Sequence, residues 1–419
     1  MRILAIGNVF NPSGVSTHII NVLKELVKMG DDVTLYVPAF LVKNNYDILK
    51  DLEKNHVNVH HTVYEMIDKV GKREESRYLY FIQSHMVYFN WNNLGEDSEY
   101  IKKLLDDVNA DVIYDMHEDS ITLRLSYHIA KKLNKPLVKL LHDEPFRNSF
   151  GRGYRKFMGL SGLVYDTLMW AFYKFDRKAY ELAMRDGVLK GIAAVSEAPV
   201  YLSKIDEIAK KYGVRLRVFK VGNAFDSSIY KFRKNKKENF AVFFARLVPQ
   251  KGIRELPMIA NMIDSKIVVF GKFFSEKDKK ILLSNPKIEY RGFRPIEEVY
   301  DTVSKAKVLI YPSHQDGFSL VVLNTLALGT SVVAYDIPAI RFVYQGLKPV
   351  KVVKENDIIS MAKVANQIMN MSNEEYESEH NDKKVKEFLE LHSSWANVAR
   401  ETHDFLSSCG FKNFIDRPY

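Results

Sequence analysis

At 419 residues, 46% of them hydrophobic, the chain is too long for one ordinary domain and reads as two, each with enough apolar residue for its own core. A single cysteine, Cys409, excludes an intramolecular disulfide, and the net charge of +9 invites an anionic partner although no nucleic-acid motif accompanies it. No apolar run approaches the roughly 20 residues that span a bilayer, so the expectation is a cytoplasmic protein, at most peripheral at the membrane's inner face.

The opening MRILAIGNVFNPSG has only Arg2 before a short apolar run, which predicts a first buried strand rather than a secretory leader. A helix predicted from Ser16 to Met29, a stop at Gly30 and the strand VTLYV complete a βαβ opening. HVNVHHTVY alternates like an exposed strand. Its His56, His60 and His61 have a spacing that suggests metal, but a fourth ligand is missing and no metal site is expected. DVIYDMH with a helix from about Thr122 to Leu133, PLVKLLHDE, a long helical region, IAAVS and RLRVFKVGN finish the first half. KFRKNKKE, from Lys231 to Glu238, lacks apolar periodicity and reads as a solvated basic linker.

The alternation then restarts with FAVFFARL, KIVVFG and KIEYRGF, each followed by a predicted helix, and ends in VLIYPSHQDGFSLVVLNTLALGTSVVAYDIPAI, from Val308 to Ile340. There Pro312 stops a strand, Asp316 and Gly317 occupy a polar loop, and a helix is expected to start near Phe318 and end at Gly329. Backbone N–H groups of Gly317, Phe318, Ser319 and Leu320, with the positive helix end, make an anion site. Two runs of βα units imply an α/β protein of two doubly wound, Rossmann-like domains facing across a cleft.

The residues Pro312-Ser313, Asp316, Gly317-Phe318-Ser319, Leu323, Ala327, Gly329, Val332-Val333-Ala334 and Asp336 resemble the signature of family-four retaining glycosyltransferases (glycosyltransferase group 1) of the GT-B fold. Two positions depart: Asp316 stands for the family's first Glu and Asn324 for its second. The resemblance extends to the loop from Pro12 to His18, to Asp111 through Glu118, to Leu140 through Asp143, and to Val195-Ser196-Glu197. It continues at Asn223 through Asp226, at Phe244 through Gly252, and at Ser394-Trp395, which resembles the crossover that returns a C-terminal helix to the N-terminal domain. The domains expected are residues 1–230 on the acceptor side, a linker 231–239, a nucleotide-sugar domain 240–385 and crossover helices 386–419.

What the resemblance implies can be put residue by residue. Arg246 and Lys251 would neutralise the donor diphosphate, with Gly14 and the loop Gly317, Phe318, Ser319 and Leu320 approaching it. Asp316 would hold sugar hydroxyls, its local alternative being an N-cap carboxylate for the following helix. Asn324, about 12 Å along by helical rise, would grip the ribose with an amide in place of a carboxylate. His117 would lie beside the transferred sugar, its alternative being a ring satisfied by local backbone. His142 and Asp143 would face the acceptor, and His18 would either pack on the loop or touch ligand.

The activity implied is metal-independent, retaining transfer from a nucleotide-diphosphate sugar to a glycan, lipid-linked or small-molecule acceptor, without a cofactor. A sugar-nucleotide epimerase and a non-catalytic sugar-nucleotide or glycan binder are the alternatives. The stretch 146–175 interleaves Arg147, Arg152, Arg155 and Lys156 with Phe150, Tyr154, Phe157, Met158, Leu163, Met169 and Trp170. It admits two readings: peripheral contact with an anionic membrane, or a core helix with a solvated cationic face.

Overall fold

The computed structural model describes residues 1–70, 86–148, 154 and 158–410. The chain forms two compact units. The first comprises Met1–Phe150, Thr167–Asn223 and Trp395–Tyr419, and the second Gly151–Asp166 and Ala224–Ser394.

In the first unit seven strands, β1 (Arg2–Ile6), β2 (Asp32–Tyr36), β3 (Asn58–Val59), β4 (Val112–Asp115), β5 (Leu137–Leu141), β6 (Leu189–Ala194) and β7 (Arg215–Val218), form one sheet. Their order is β3-β2-β1-β4-β5-β6-β7, with every pairing parallel. Parallel strands covered on both faces favour apolar side chains, and Ile3 to Ile6, Val112 to Tyr114 and Leu137 to Leu141 are all buried, with Lys139 the one charged residue among them. The helix expected from Ser16 begins at Gly14, because Ser13 Oγ accepts a bond from the Ser16 amide and Ser16 Oγ accepts one from the Ser13 amide. The helix Trp395–Gly410 packs on this helix Gly14–Lys28, within the same unit.

HVNVHHTVY does not form the expected exposed strand. Only Asn58–Val59 pairs with β2, and His61 already opens the helix His61–Val70.

The second unit holds β8 (Glu238–Phe244), β9 (Ile267–Phe270), β10 (Ile288–Gly292), β11 (Ala306–Tyr311), β12 (Ser331–Tyr335) and β13 (Val350–Val353). Their order is β10-β9-β8-β11-β12-β13, again all parallel. Both sheets are therefore doubly wound α/β sheets, as expected. Each reverses its winding once, between β1 and β4 in one and between β8 and β11 in the other, and loops splay apart beyond the carboxyl ends of such strands.

The basic linker is not wholly solvated. Lys237 turns inward and donates to the carbonyls of Ser304 and Leu328 and to Thr330 Oγ1, satisfying acceptors where two helices have ended. Burial lowers its pKa to about 7. Among the described residues no helix is long and apolar enough to cross a membrane.

Candidate functional site

At the reversal of the second sheet, the loop after β8 meets the loop after β11. Gly252 makes the approach possible: its φ of 76° is left-handed, and a Cβ there would sit 2.1 Å from the Pro312 carbonyl oxygen. The His314 amide donates to the Gln250 carbonyl at 2.9 Å, tying the two loops.

This junction sets Lys251 Nζ 2.9 Å from Asp316 Oδ2 and 2.9 Å from the Gln315 carbonyl. Burial disfavours the ammonium, but the charge of Asp316, the Tyr311 hydroxyl and the hydrogen bond to Asp316 together outweigh it and hold the Lys251 pKa above its ordinary value. Tyr311 also donates to Asp316 Oδ2, and its hydroxyl accepts from Ser319 Oγ at 2.9 Å. Burial, then the Asp316 charge, push the Tyr311 phenol up to about 12, so it remains a donor at neutral pH. Arg246, on the same loop as Lys251, is exposed and has no ion pair or side-chain hydrogen bond among the described residues.

Asp316 is not the helix cap. The helix runs Leu320–Ala327 rather than from Phe318, and Ser319 caps it by accepting from the Val322 amide. Gly317, Phe318 and Ser319 thus form the buried turn before it, with Tyr344 donating to the Ser319 carbonyl at 2.6 Å. The shorter helix also removes the basis of the 12 Å rise between Asp316 and Asn324, since half of that span is not helical. Asn324 Nδ2 donates to Tyr300 Oη at 2.9 Å, leaving its carbonyl oxygen as the acceptor it can offer.

At the reversal of the first sheet, His117 follows β4 and Asn8 follows β1. The Asn8 amide donates to His117 Nε2 at 3.1 Å. That bond, from a backbone amide 109 residues away rather than from the local chain, assigns the proton to Nδ1, 3.8 Å from Asp119 Oδ2, and leaves that nitrogen as a donor. The His117 amide donates to Asp115 Oδ1 at 3.1 Å, and Asp115 Oδ2 lies 2.7 Å from Lys139 Nζ with both side chains wholly buried. Burial raises the Asp115 pKa while Lys139 opposes it.

His142 does not present itself to solvent. It is buried, its ring 4.7 Å from that of His18 in an edge-on contact, and burial holds its pKa well below the usual histidine value. His18 in turn faces Asn223 Oδ1 at 3.0 Å and the Trp395 ring at 5.8 Å, which is the packing alternative for that residue. Asp143 is half-buried, with Oδ1 accepting from the Glu144 amide. Gly14 is exposed as the first residue of its helix.

Sequence reasoning missed three participants. Tyr311 and Lys139 each carry a local signal, a phenol at a strand end before proline and a lysine inside an apolar strand. His314, at 2.7 Å from Glu255 and 2.9 Å from Glu355, carries none, because its partners lie 59 and 41 residues away.

The membrane-or-core question for 146–175 divides by residue. Phe150, Arg152, Arg155, Lys156 and Phe157 lie outside the described residues. In the helix Leu160–Arg185, Met169 and Tyr173 are buried, whereas Leu160, Val164 and Leu168, four apart, and Trp170 are exposed. Lys174 Nζ stands 3.5 Å over the Trp170 ring.

Comparison with known proteins matches residues 225–385 to the family model "Glycosyl transferases group 1". An uncharacterized glycosyltransferase of Methanocaldococcus jannaschii is 30% identical over 99 residues, which is 23% of this chain and 28% of that protein's length. Among solved structures, Anabaena HepE in complex with UDP and glucose superposes with a TM-score of 0.66 at 14% identity, over 97% of this chain and all of that one. Sucrose-phosphate synthase from Thermosynechococcus elongatus gives 0.69 at 12% identity, covering 97% and 98%. A variant of S. aureus TarM in complex with Fondaparinux, alpha-GlcNAc-glycerol and UDP gives 0.63 at 13%, covering 97% and 99%. These likenesses establish the fold as that of GT-B glycosyltransferases.

Proposed function

Starting from residues 225–385 as a glycosyl transferases group 1 domain on a GT-B fold, we propose that the protein is a retaining, metal-independent glycosyltransferase. Its donor is a nucleotide-diphosphate sugar and its acceptor a glycan, lipid-linked or small-molecule hydroxyl. The observation that carries this reading is the pair of cations on one strand-end loop: Lys251 locked to Asp316, and Arg246 exposed beside it without an ion pair among the described residues.

A leaving diphosphate gains charge as the glycosidic C–O bond breaks, and fixed donors aimed at that charge lower the barrier without reorganising. Arg246 supplies a planar fork suited to phosphate, and Lys251 a point charge whose position is set by Asp316 and the Gln315 carbonyl. The amides of Gly317 to Leu320 are proposed to add dipoles to the diphosphate, and the exposed Gly14 is proposed as a diphosphate-binding residue of the first unit. Asp316 has Oδ2 committed to Lys251 and Tyr311, and Oδ1 is left for sugar hydroxyls. His117 offers Nδ1–H to a hydroxyl, Asn324 its carbonyl oxygen to the ribose, and Asp143 a carboxylate to the acceptor. In retention by front-face attack, the leaving phosphate takes the acceptor's proton, so no protein nucleophile is required.

HepE and TarM were solved with UDP, which supports uridine diphosphate sugars as the first donors to try. A thermal-shift panel of sugar nucleotides identifies the donor, since a ligand bound only by the folded state raises the melting temperature. Arg246→Ala then tests the site, because removing an exposed side chain with no described partner spares the fold. Transfer should fall by about 100-fold or more, the loss typical of one preorganised donor, with the melting temperature unchanged. Unaltered transfer in both Arg246→Ala and Lys251→Ala would sink the assignment.

A further inference from the structure

We propose that His60, His61 and Asp107 form a binding site for a divalent cation of the zinc class at the outer edge of the seven-stranded sheet. The edge strand β3 delivers His60, whose amide donates to the Leu35 carbonyl of β2 at 3.0 Å, and His61 follows as the first residue of the helix His61–Val70. Asp107 is the last residue of the helix Asp97–Asp107 and enters 46 positions after His61. His56 is not part of the cluster, and the sequence pattern alone does not reveal Asp107 because the carboxylate comes from this second element.

The geometry is close to that of a metal centre. One donor atom from each of the three residues lies within 4.8 Å of the others. His60 Nε2 stands 2.8 Å from Asp107 Oδ1, and His61 Nε2 3.0 Å from Asp107 Oδ2. A tetrahedral zinc with bonds of about 2.0–2.1 Å needs ligand-to-ligand edges of about 3.3–3.4 Å, wider than either His–Asp contact and inside the 4.8 Å that bounds all three donor atoms.

The remote ring nitrogen of His61 is backed by a carboxylate, and that of His60 by Thr62. His61 Nδ1 lies 3.1 Å from Glu65 Oε1 and His60 Nδ1 2.8 Å from Thr62 Oγ1. At His61 the Glu65 carboxylate accepts from Nδ1–H and leaves Nε2 as the ligand atom; at His60 the Thr62 amide donates to Nδ1 at 3.4 Å, and ligation through Nε2 requires the proton to move to Nδ1, where it faces Thr62 Oγ1. Lys103 Nζ, 2.5 Å from Glu65 Oε2, pairs with that carboxylate and fixes its position behind His61.

His60 is buried whereas His61 and Asp107 are half-exposed, so the site has a fixed wall and an open side. Three protein ligands with the fourth position open to water suit zinc. Two imidazoles and one carboxylate do not suit magnesium or calcium, which prefer oxygen. β3 is three places from β4 in the sheet order, so the ion is removed from His117 and serves to clamp the helix His61–Val70 to the helix Asp97–Asp107.

The full-length chain, stripped with a chelator, is titrated with zinc chloride by calorimetry, and with cobalt chloride to read the visible bands of a tetrahedral ion. One zinc per chain and a raised melting temperature are expected. His61→Ala and Asp107→Asn should each weaken binding by more than about tenfold, and Glu65→Gln by about tenfold, with zinc-free melting temperatures matching the parent. Because both ligand side chains are half-exposed, these variants keep the fold. Zinc affinity unchanged in His61→Ala and Asp107→Asn, or no saturable zinc binding by the parent, overturns the proposal and leaves a hydrogen-bonded triad only.

Discussion

At His117 a single backbone bond decides what the ring can do. With Nε2 accepting from Asn8, the neutral imidazole can only donate through Nδ1, so a role as general base through Nε2 would require the β1 loop to withdraw. His18 shows the same dependence on surroundings in its titration. Burial lowers its pKa to about 4, with Asn223 partly opposing, and the neighbouring His142 is held low as well. An unfolded histidine titrates near 6.5, so the folded state takes up this proton later than the unfolded chain. The stability contributed is therefore complete above about pH 6.5 and lost as pH falls through about 4, on the order of 3 kcal/mol for His18. Urea unfolding measured across that window should show the decline, and His18→Asn, which keeps a donor for Asn223, should make it shallower. A slope identical to the parent's would mean that His18 is charged or solvent-accessible when folded. The histidine itself was legible in the sequence as part of the Pro12-to-His18 loop; its buried, neutral state was not, since Asn223 and Trp395 come from the far end of the unit.

Among the elements, β4 and β5 are joined by more than their ladder. Lys139 and Asp115, paired across the two strands with no exposure, also hold Ser126 and the carbonyl of Asp119, where the helix Ser120–Leu133 begins. The pair therefore sets the β4 end, the helix start and the His117 amide together. Lys139→Met strands a buried carboxylate and should destabilise the protein by about 3–5 kcal/mol, read from urea midpoints, and transfer by the folded variant should fall as His117 shifts. Stability within the range of an ordinary surface change would show that water reaches Asp115. Strand and helix spans were largely readable, because apolar periodicity and stop residues are local. Errors fell where a cap or pairing decided: Ser319 rather than Asp316 starts the helix Leu320–Ala327, and β3 shrinks to two residues because only Thr34 and Leu35 of β2 offer it a ladder.

For the whole molecule, an exposed apolar stripe runs along the helix Leu160–Arg185. Leu160, Val164 and Leu168 line one side, and Trp170 lies under Lys174. Vesicle co-sedimentation should show binding to anionic and not neutral liposomes, weakening as salt rises, and reduced by Trp170→Ala. No binding, or salt-insensitive binding to both, rejects membrane docking and favours a soluble acceptor. Two doubly wound sheets, their strand-end loops and the ordered matches from Pro12 to Trp395 were all present in the residues themselves. Hydrophobic runs and glycine or proline stops act over a few neighbours and need no knowledge of the rest of the chain. What the folded chain alone decided is which polar atom answers which: Asn8 to His117 across 109 residues, Lys251 to Asp316 across 65, Asp107 to His61 across 46. A hydrogen bond or ion pair needs atoms within about 3 Å, and a spacing in sequence carries no such distance until the sheets have wound.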